Sequence, residues 1–103
     1  MSTGVTAMAI FVHAVVPGVT TDQYDALNAR LQQVPGIFDG CVSHACVPTD
    51  EGLEVFDVWE SESQMKAFAE KMMPIATDEG WPVTPGTPRV MRIHNHWIPG
   101  AAG

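Results

Sequence analysis

The run from 7 to 15, Ala-Met-Ala-Ile-Phe-Val-His-Ala-Val, constrains this chain more than any other. It is rich in apolar, β-branched and aromatic residues and has no regular polar alternation. Such a run reads as a strand buried on both faces. A strand of that kind needs a covering layer on each side of its sheet. The chain has 103 residues, enough for a single domain with its core over 7–97. A chain this short buries only about two-thirds of its unfolded surface. A second copy packed on an uncovered face would supply the missing layer, so a homodimer is expected.

The rest of the pattern follows in order. Pro17-Gly18 ends the strand. Thr20-Thr21-Asp22-Gln23 matches a capping box, and Tyr24, Leu27, Leu31 and Val34 follow at helical spacing. The first helix is therefore expected over 21–34, ended by Pro35-Gly36. Residues 41–47 read as a second strand, 48–52 as a hairpin loop and 53–59 as a third strand. Ser61-Glu62-Ser63-Gln64 is a second capping box, with Met65, Phe68, Ala69, Met72 and Met73 on the helix that follows. That helix is expected to stop or kink near Pro74. Residues 77–88 hold three prolines, two glycines and Trp81, an ordered loop. Residues 89–97 read as a fourth strand, followed by a frayed tail.

The order βαββαβ is the ferredoxin-like α+β arrangement. It gives a four-stranded antiparallel sheet in the order 4-1-3-2 with both helices on one face. The other face is bare, which is where a second subunit would pack, sheet against sheet.

Charge narrows the function. The net charge is −7, from twelve acids against five bases, and Arg30, Lys66, Lys71, Arg89 and Arg92 do not cluster. Binding to nucleic acid or to an anionic membrane needs a concentrated positive surface, so neither is expected. No apolar run approaches the roughly 20 residues that span a bilayer. Met1-Ser2-Thr3-Gly4 has no basic region, so no signal peptide is expected. Cys41 and Cys46, at odd spacing in or beside one strand, would lie on opposite faces and roughly 16 Å apart, too far to bridge. Two unbridged thiols point to the cytoplasm.

Two short motifs carry a family resemblance. Pro35-Gly36-Ile37 resembles the PGF-type turn after the first helix of antibiotic-biosynthesis-monooxygenase-like (ABM) domains. Val58-Trp59-Glu60-Ser61-Glu62-Ser63, with Phe68 in the next helix, resembles their strand-to-helix signature. The resemblance covers about 7–97. It implies a dimeric α+β barrel with a pocket between sheet and helices in each subunit. Some members of that superfamily resemble cofactor-free oxygenases of aromatic polyketides, some degrade haem, and many have no known activity. The haem-degrading branch uses an Asn on the first strand, a Trp ending the third and a His on the second helix. Trp59 matches the Trp, but Val12 or His13 stands at the Asn position and 64–76 hold no His. No cofactor is therefore expected.

Asp57 and Trp59 share a strand face with Leu53 and Val55. A carboxylate on an apolar face costs free energy unless it is paired, so Asp57 could be a base with a pKa raised by burial, a partner of Arg92, or a residue near the rim. Trp59 could stack on a flat substrate and donate a hydrogen bond, or seal the core. His94 and His96 share a face of the fourth strand, and the topology sends them to the same sheet end as Trp59 and Asp57. An imidazole beside a carboxylate is equipment for proton abstraction. His13, on the first strand, could face the same pocket or be a core histidine. His44 is expected to be partly exposed. Tyr24, Phe68 and Met72 could line the pocket, with plain core packing as the alternative, and Trp81 could close over it or pack across a dimer. A metal at His94-x-His96 would need Asp57 or His13 as a third ligand, and none is assigned.

Two kinds of function fit. One is a small enzyme acting without a cofactor on an apolar or aromatic, polyketide-type compound. It would be an oxygenase, in which the deprotonated substrate meets O₂, or a cyclase or isomerase that enolises a ketone. The other is a non-catalytic domain that binds a small molecule.

Overall fold

The computed structural model describes residues 9–82 and 88–100, and its first strand, β1, is Ile10–Pro17. β1 pairs antiparallel on both sides, with β3 (Gly52–Trp59) and with β4 (Arg89–Arg92). β2 (Cys41–Thr49) adds to the far edge of β3. The sheet order is β2-β3-β1-β4, the expected 4-1-3-2 order seen from the other edge. Two helices, α1 (Thr21–Leu31) and α2 (Glu62–Asp78), complete the βαββαβ order.

Alternation divides each central strand. Ile10, Val12 and Trp59 cluster with Met65 and Phe68 of α2, whereas Val16 and Leu53 cluster with Val19 and with Tyr24 of α1. Leu27 and Leu31 of α1 meet Ile37 and Ala76 in a third cluster. Phe68 bridges two of these clusters. Trp59 and Leu53 are the largest fully buried side chains among the described residues, each 1% exposed. Removing a large apolar side chain of this kind from water contributes about 1.5–3 kcal/mol.

The helix starts follow the capping residues. Thr20 Oγ1 accepts from Gln23 N at 3.1 Å while Thr20 N donates to Gln23 Oε1 at 3.0 Å, a complete box. Ser61 makes only half of one. Its Oγ accepts from Gln64 N at 3.2 Å, but Gln64 Oε1 takes the Ser61 hydroxyl rather than its backbone N–H. The backbone N–H of Gln33 and of Val34 bonds back three residues, to Arg30 and Leu31, so α1 tightens into a turn at Leu31 rather than reaching 34. Pro35 disfavours helical backbone at Val34.

α2 departs from expectation in the other direction and runs through Pro74 to Asp78. Proline removes one helical hydrogen bond. Pro74 and Glu70, whose carbonyl loses that partner, are both exposed, so water can replace it. The turn beyond it carries Ile75 and Ala76 into the core, which outweighs the loss.

The β2–β3 connection is tighter than a five-residue loop. Thr49 pairs with Gly52, leaving only Asp50 and Glu51 in the turn. Gly52 makes this possible: its φ is 152°, and a Cβ there would lie 2.4 Å from the Val16 carbonyl oxygen. β4 is shorter than the expected 89–97. Among the described residues its neighbour is β1, which begins at Ile10 opposite Arg92, and one further bond joins Ile93 N to Ala9 O at 3.1 Å.

Candidate functional site

A cavity of about 510 Å³ lies between the sheet and the two helices. Its walls are mostly apolar, built from Val, Leu, Met, Phe and Trp side chains together with Ala and Pro. Asp57 is the only Asp, Glu, Lys or Arg among the described residues that line it.

The hairpin places that carboxylate. From the Thr49–Gly52 pair the ladder runs without slippage to His44 opposite Asp57. Directly paired residues share a sheet face. His44 and Asp57 therefore both point toward the helices. There the His44 Nδ1–H donates to Asp57 Oδ1 at 2.5 Å, since a carboxylate only accepts. Trp59, two residues on and on the same face, donates its Nε1–H to Asp57 Oδ2 at 3.3 Å. On the other side of the imidazole, His44 Nε2 lies 2.5 Å from the Tyr24 hydroxyl, and the two rings are nearly parallel with centroids 5.9 Å apart. α1 delivers Tyr24 one helical turn before Leu27, on its buried stripe. The result is a continuous chain Tyr24–His44–Asp57–Trp59, with all four side chains lining the cavity. The Asp57 side chain is 13% exposed and that of His44 39%, so the chain runs from the interior to solvent.

Burial raises the Tyr24 phenol above its ordinary value of 10.0, and negative charge on Cys46, Asp57 and Asp25 adds to the effect. Burial likewise raises the thiol of Cys41, with Asp57 adding to it against a contact to the Ser43 carbonyl. Cys46 is raised by burial and then by Asp25. Both cysteines are free. They share the helix-facing side of the sheet rather than lying on opposite faces. A bulge between Cys41 and Ser43 shifts the register so that Cys41 stands opposite Trp59 while Cys46 stands opposite Val55.

The other expected site residues divide. Phe68 and Met72 line the cavity, and Phe68 packs on Trp59 with centroids 5.2 Å apart. Trp81 forms part of the wall beside α1, with its Nε1–H directed at the Gln23 carbonyl at 3.4 Å. The segment 83–87 lies outside the described residues. Trp59 spends its indole N–H on Asp57, so it supports the carboxylate rather than offering a free donor to a ligand. Asp57 pairs with His44, not with Arg92.

Three histidines stand elsewhere than expected. His13 lies on the opposite sheet face, paired with Glu54 Oε1 at 2.9 Å and stacked on Phe56 at 4.7 Å. Its odd position in β1, between Val12 and Ala14 of the cavity wall, sends it there. His94 and His96 fall beyond the end of β4, are exposed, and do not line the cavity. Among the described residues no group of three His, Cys, Asp or Glu could hold a metal ion. His44 is the residue that the sequence reading passed over. The signal was present in the two-residue turn: counting outward from Thr49 and Gly52 brings His44 opposite Asp57.

No family model matches the chain, and no curated protein is detectably similar to it. Solved structures are. A putative antibiotic biosynthesis monooxygenase from Chloroflexus aurantiacus is 19% identical, with TM-score 0.55 over 87% of this chain and 98% of that one. SnoaB, a cofactor-independent oxygenase from Streptomyces nogalater, is 17% identical, with TM-score 0.52 over 90% of this chain and 97% of its own. The ActVA-Orf6 monooxygenase of Streptomyces coelicolor, solved with the ligand nanaomycin D, is 13% identical, with TM-score 0.53 over 92% and 95% of the two chains. At these identities the likeness is one of fold, and the chain has the fold of the antibiotic-biosynthesis-monooxygenase type.

Proposed function

We propose that this protein is a small-molecule enzyme that works without a bound cofactor, a monooxygenase-like protein acting on an apolar aromatic, polyketide-type compound. The observation that carries the reading is Asp57, a carboxylate in an apolar cavity that is held in a hydrogen-bonded chain with an imidazole and a phenol. Such a chain can take a proton from a bound molecule and pass it outward. The apolar wall would exclude water from the anion that remains. The fold shared with SnoaB supports the oxygenase version. In that version of the proposal, an anthrone-type methylene loses a proton, the electron-rich anion reacts with O₂, and the CH₂ becomes C=O with release of one water.

The walls also limit the substrate. No Lys or Arg among the described residues lines the cavity, so a carboxylated or phosphorylated compound would lack a counter-charge beside Asp57. The substrate is therefore uncharged before it reacts. We also propose that the protein acts as a homodimer, packed through the sheet face that carries Phe11, Val15 and Phe56.

The test is O₂ uptake with anthrone, read against the rate of the Asp57→Asn variant. The expected result is one O₂ consumed per anthrone, with the variant slowed about 100-fold, the lower end of acid–base contributions. Product without O₂ uptake would move the assignment to a cyclase or isomerase. No product with retained binding would make this a binding domain.

A further inference from the structure

We propose that Tyr24 is the residue that meets the substrate's acidic hydrogen, and that the cavity accordingly selects compounds with a free phenolic or enolic hydroxyl over their ethers. This deepens the acid–base reading above and rests on it, though its test does not depend on turnover.

The hydrogen-bond polarity of the chain fixes what Tyr24 can do. Asp57 only accepts, so its bond to His44 Nδ1 places a hydrogen on that nitrogen. A neutral imidazole carries a single N–H, which leaves Nε2 as an acceptor. The Tyr24 hydroxyl, 2.5 Å from Nε2, therefore donates its only hydrogen to His44. What it has left for the cavity is lone pairs. Toward a ligand Tyr24 is an acceptor, and a ligand meets it well only by donating.

The other cavity-facing groups of the chain reinforce this. The Trp59 N–H is taken by Asp57, and both Asp57 oxygens already accept. Within the Tyr24–His44–Asp57–Trp59 network no free donor remains for an ether or a carbonyl; the other amide and hydroxyl donors of the described wall, Asn28, Gln32, Ser43 and Thr77, stand outside it. Tyr24 is also held as a phenol by its surroundings: burial acts first, followed by Cys46 of β2, Asp57 of β3 and Asp25 of its own helix. A resident tyrosinate is thus disfavoured, and proton uptake has to be coupled to proton release. The substrate O–H bond, which in an anthrone is that of its enol tautomer, breaks as its hydrogen bonds to Tyr24 Oη. The Tyr24 O–H bond breaks as that hydrogen bonds to His44 Nε2. The products are a substrate oxyanion and an imidazolium facing the Asp57 carboxylate, with no change of oxidation state. His44, 39% exposed, can then release the proton to water. Tyr24 is the catalytic residue in this scheme, and Asp57 is a positioning residue that acts through His44.

The experiment compares two probes, 2-naphthol and 2-methoxynaphthalene, by titration calorimetry on the full chain. They share a ring system and differ in one hydrogen-bond donor. The wild type is expected to bind the naphthol about tenfold more tightly than the ether, the ratio set by one good hydrogen bond. Tyr24→Phe should reduce that ratio to about twofold or less. His44→Ala frees the Tyr24 hydrogen to donate, so the ether should gain affinity relative to the wild type, which loss of structure alone would not produce. Equal binding of the two probes by the wild type, binding of neither, or an undiminished ratio in Tyr24→Phe each overturns the proposal. Anthrone turnover, measured separately as O₂ uptake, decides the enzymatic reading on its own.

Discussion

Truncating His44 to alanine tests whether the chain of polar groups is a real energetic unit. Asp57 is only 13% exposed, and its two described partners are His44 at 2.5 Å and Trp59 at 3.3 Å. Without the imidazole the carboxylate keeps only the longer bond. Leaving a buried acceptor short of its partner costs about 1–3 kcal/mol. The His44 site is 39% exposed, so water enters the gap and the lower half of that range applies. Loss of the stacking on Tyr24 adds roughly 0.5 kcal/mol. The expected cost is about 2 kcal/mol, near 10 °C in Tm at about 5 °C per kcal/mol for a domain of this length. Replacing Asp57 by leucine in the same background should recover much of the loss, because no carboxylate is left to strand. The assay is urea unfolding followed by tryptophan fluorescence, with all four proteins at one concentration so that any dimer equilibrium is held fixed. A coupling of at least about 1 kcal/mol between the two substitutions is expected, where independent sites add within about 0.3–0.5 kcal/mol. A His44→Ala cost under 0.5 kcal/mol, or strict additivity, would refute the reasoning.

Tyr24 is the single tyrosine of the chain, so phenolate absorbance near 295 nm reports it alone. Its midpoint in the native protein should lie above 10.0 and return to the ordinary value in denaturant. The linked effect on stability has a definite sign. The fold favours the protonated forms of Cys41, Cys46 and Tyr24, so stability is full below the unfolded values of 9.0 and 10.0 and falls as pH rises through the higher folded values. A midpoint that moves toward alkaline pH on unfolding would contradict this. Gly52→Ala should destabilise by about 2–4 kcal/mol, because a methyl 2.4 Å from the Val16 oxygen must push β1 and the hairpin apart, a change readable as a lowered urea midpoint. His94→Ala and His96→Ala should each leave O₂ uptake with anthrone within about twofold of the wild type, the range expected of exposed positions with no described contact to the cavity.

The fold was largely legible because its signals are local. Thr20 and Ser61 mark both helix starts, and the six elements appear in the expected order. The face shared by Asp57 and Trp59 follows from strand periodicity alone. The misreadings come from where strands and helices end or slip. His94 and His96 alternate like strand residues, but the described ladder between β1 and β4 ends at the Ile10–Arg92 pair. Cys41 changed face because a bulge added a residue that no composition signal marks. α2 passed through Pro74 because core contacts of Ile75 and Ala76 lie beyond it. His44 required a count across the hairpin, and a hairpin loop spanning all of 48–52 leaves out the Thr49–Gly52 pair from which the count starts.

The two-residue turn at Asp50 and Glu51 carries a consequence for how this sequence can change. A single insertion or deletion on the β2 side of it would rotate His44 out of the cavity and present Ser43 or Ala45 to Asp57, because a one-residue slip exchanges the faces of a strand. A surface turn of this kind usually tolerates length variation freely. Here the spacing between the turn and His44 behaves as a fixed ruler, so length variants gathered from nature or from a library should either keep the count from Thr49 to His44 or lose the His44–Asp57 pair.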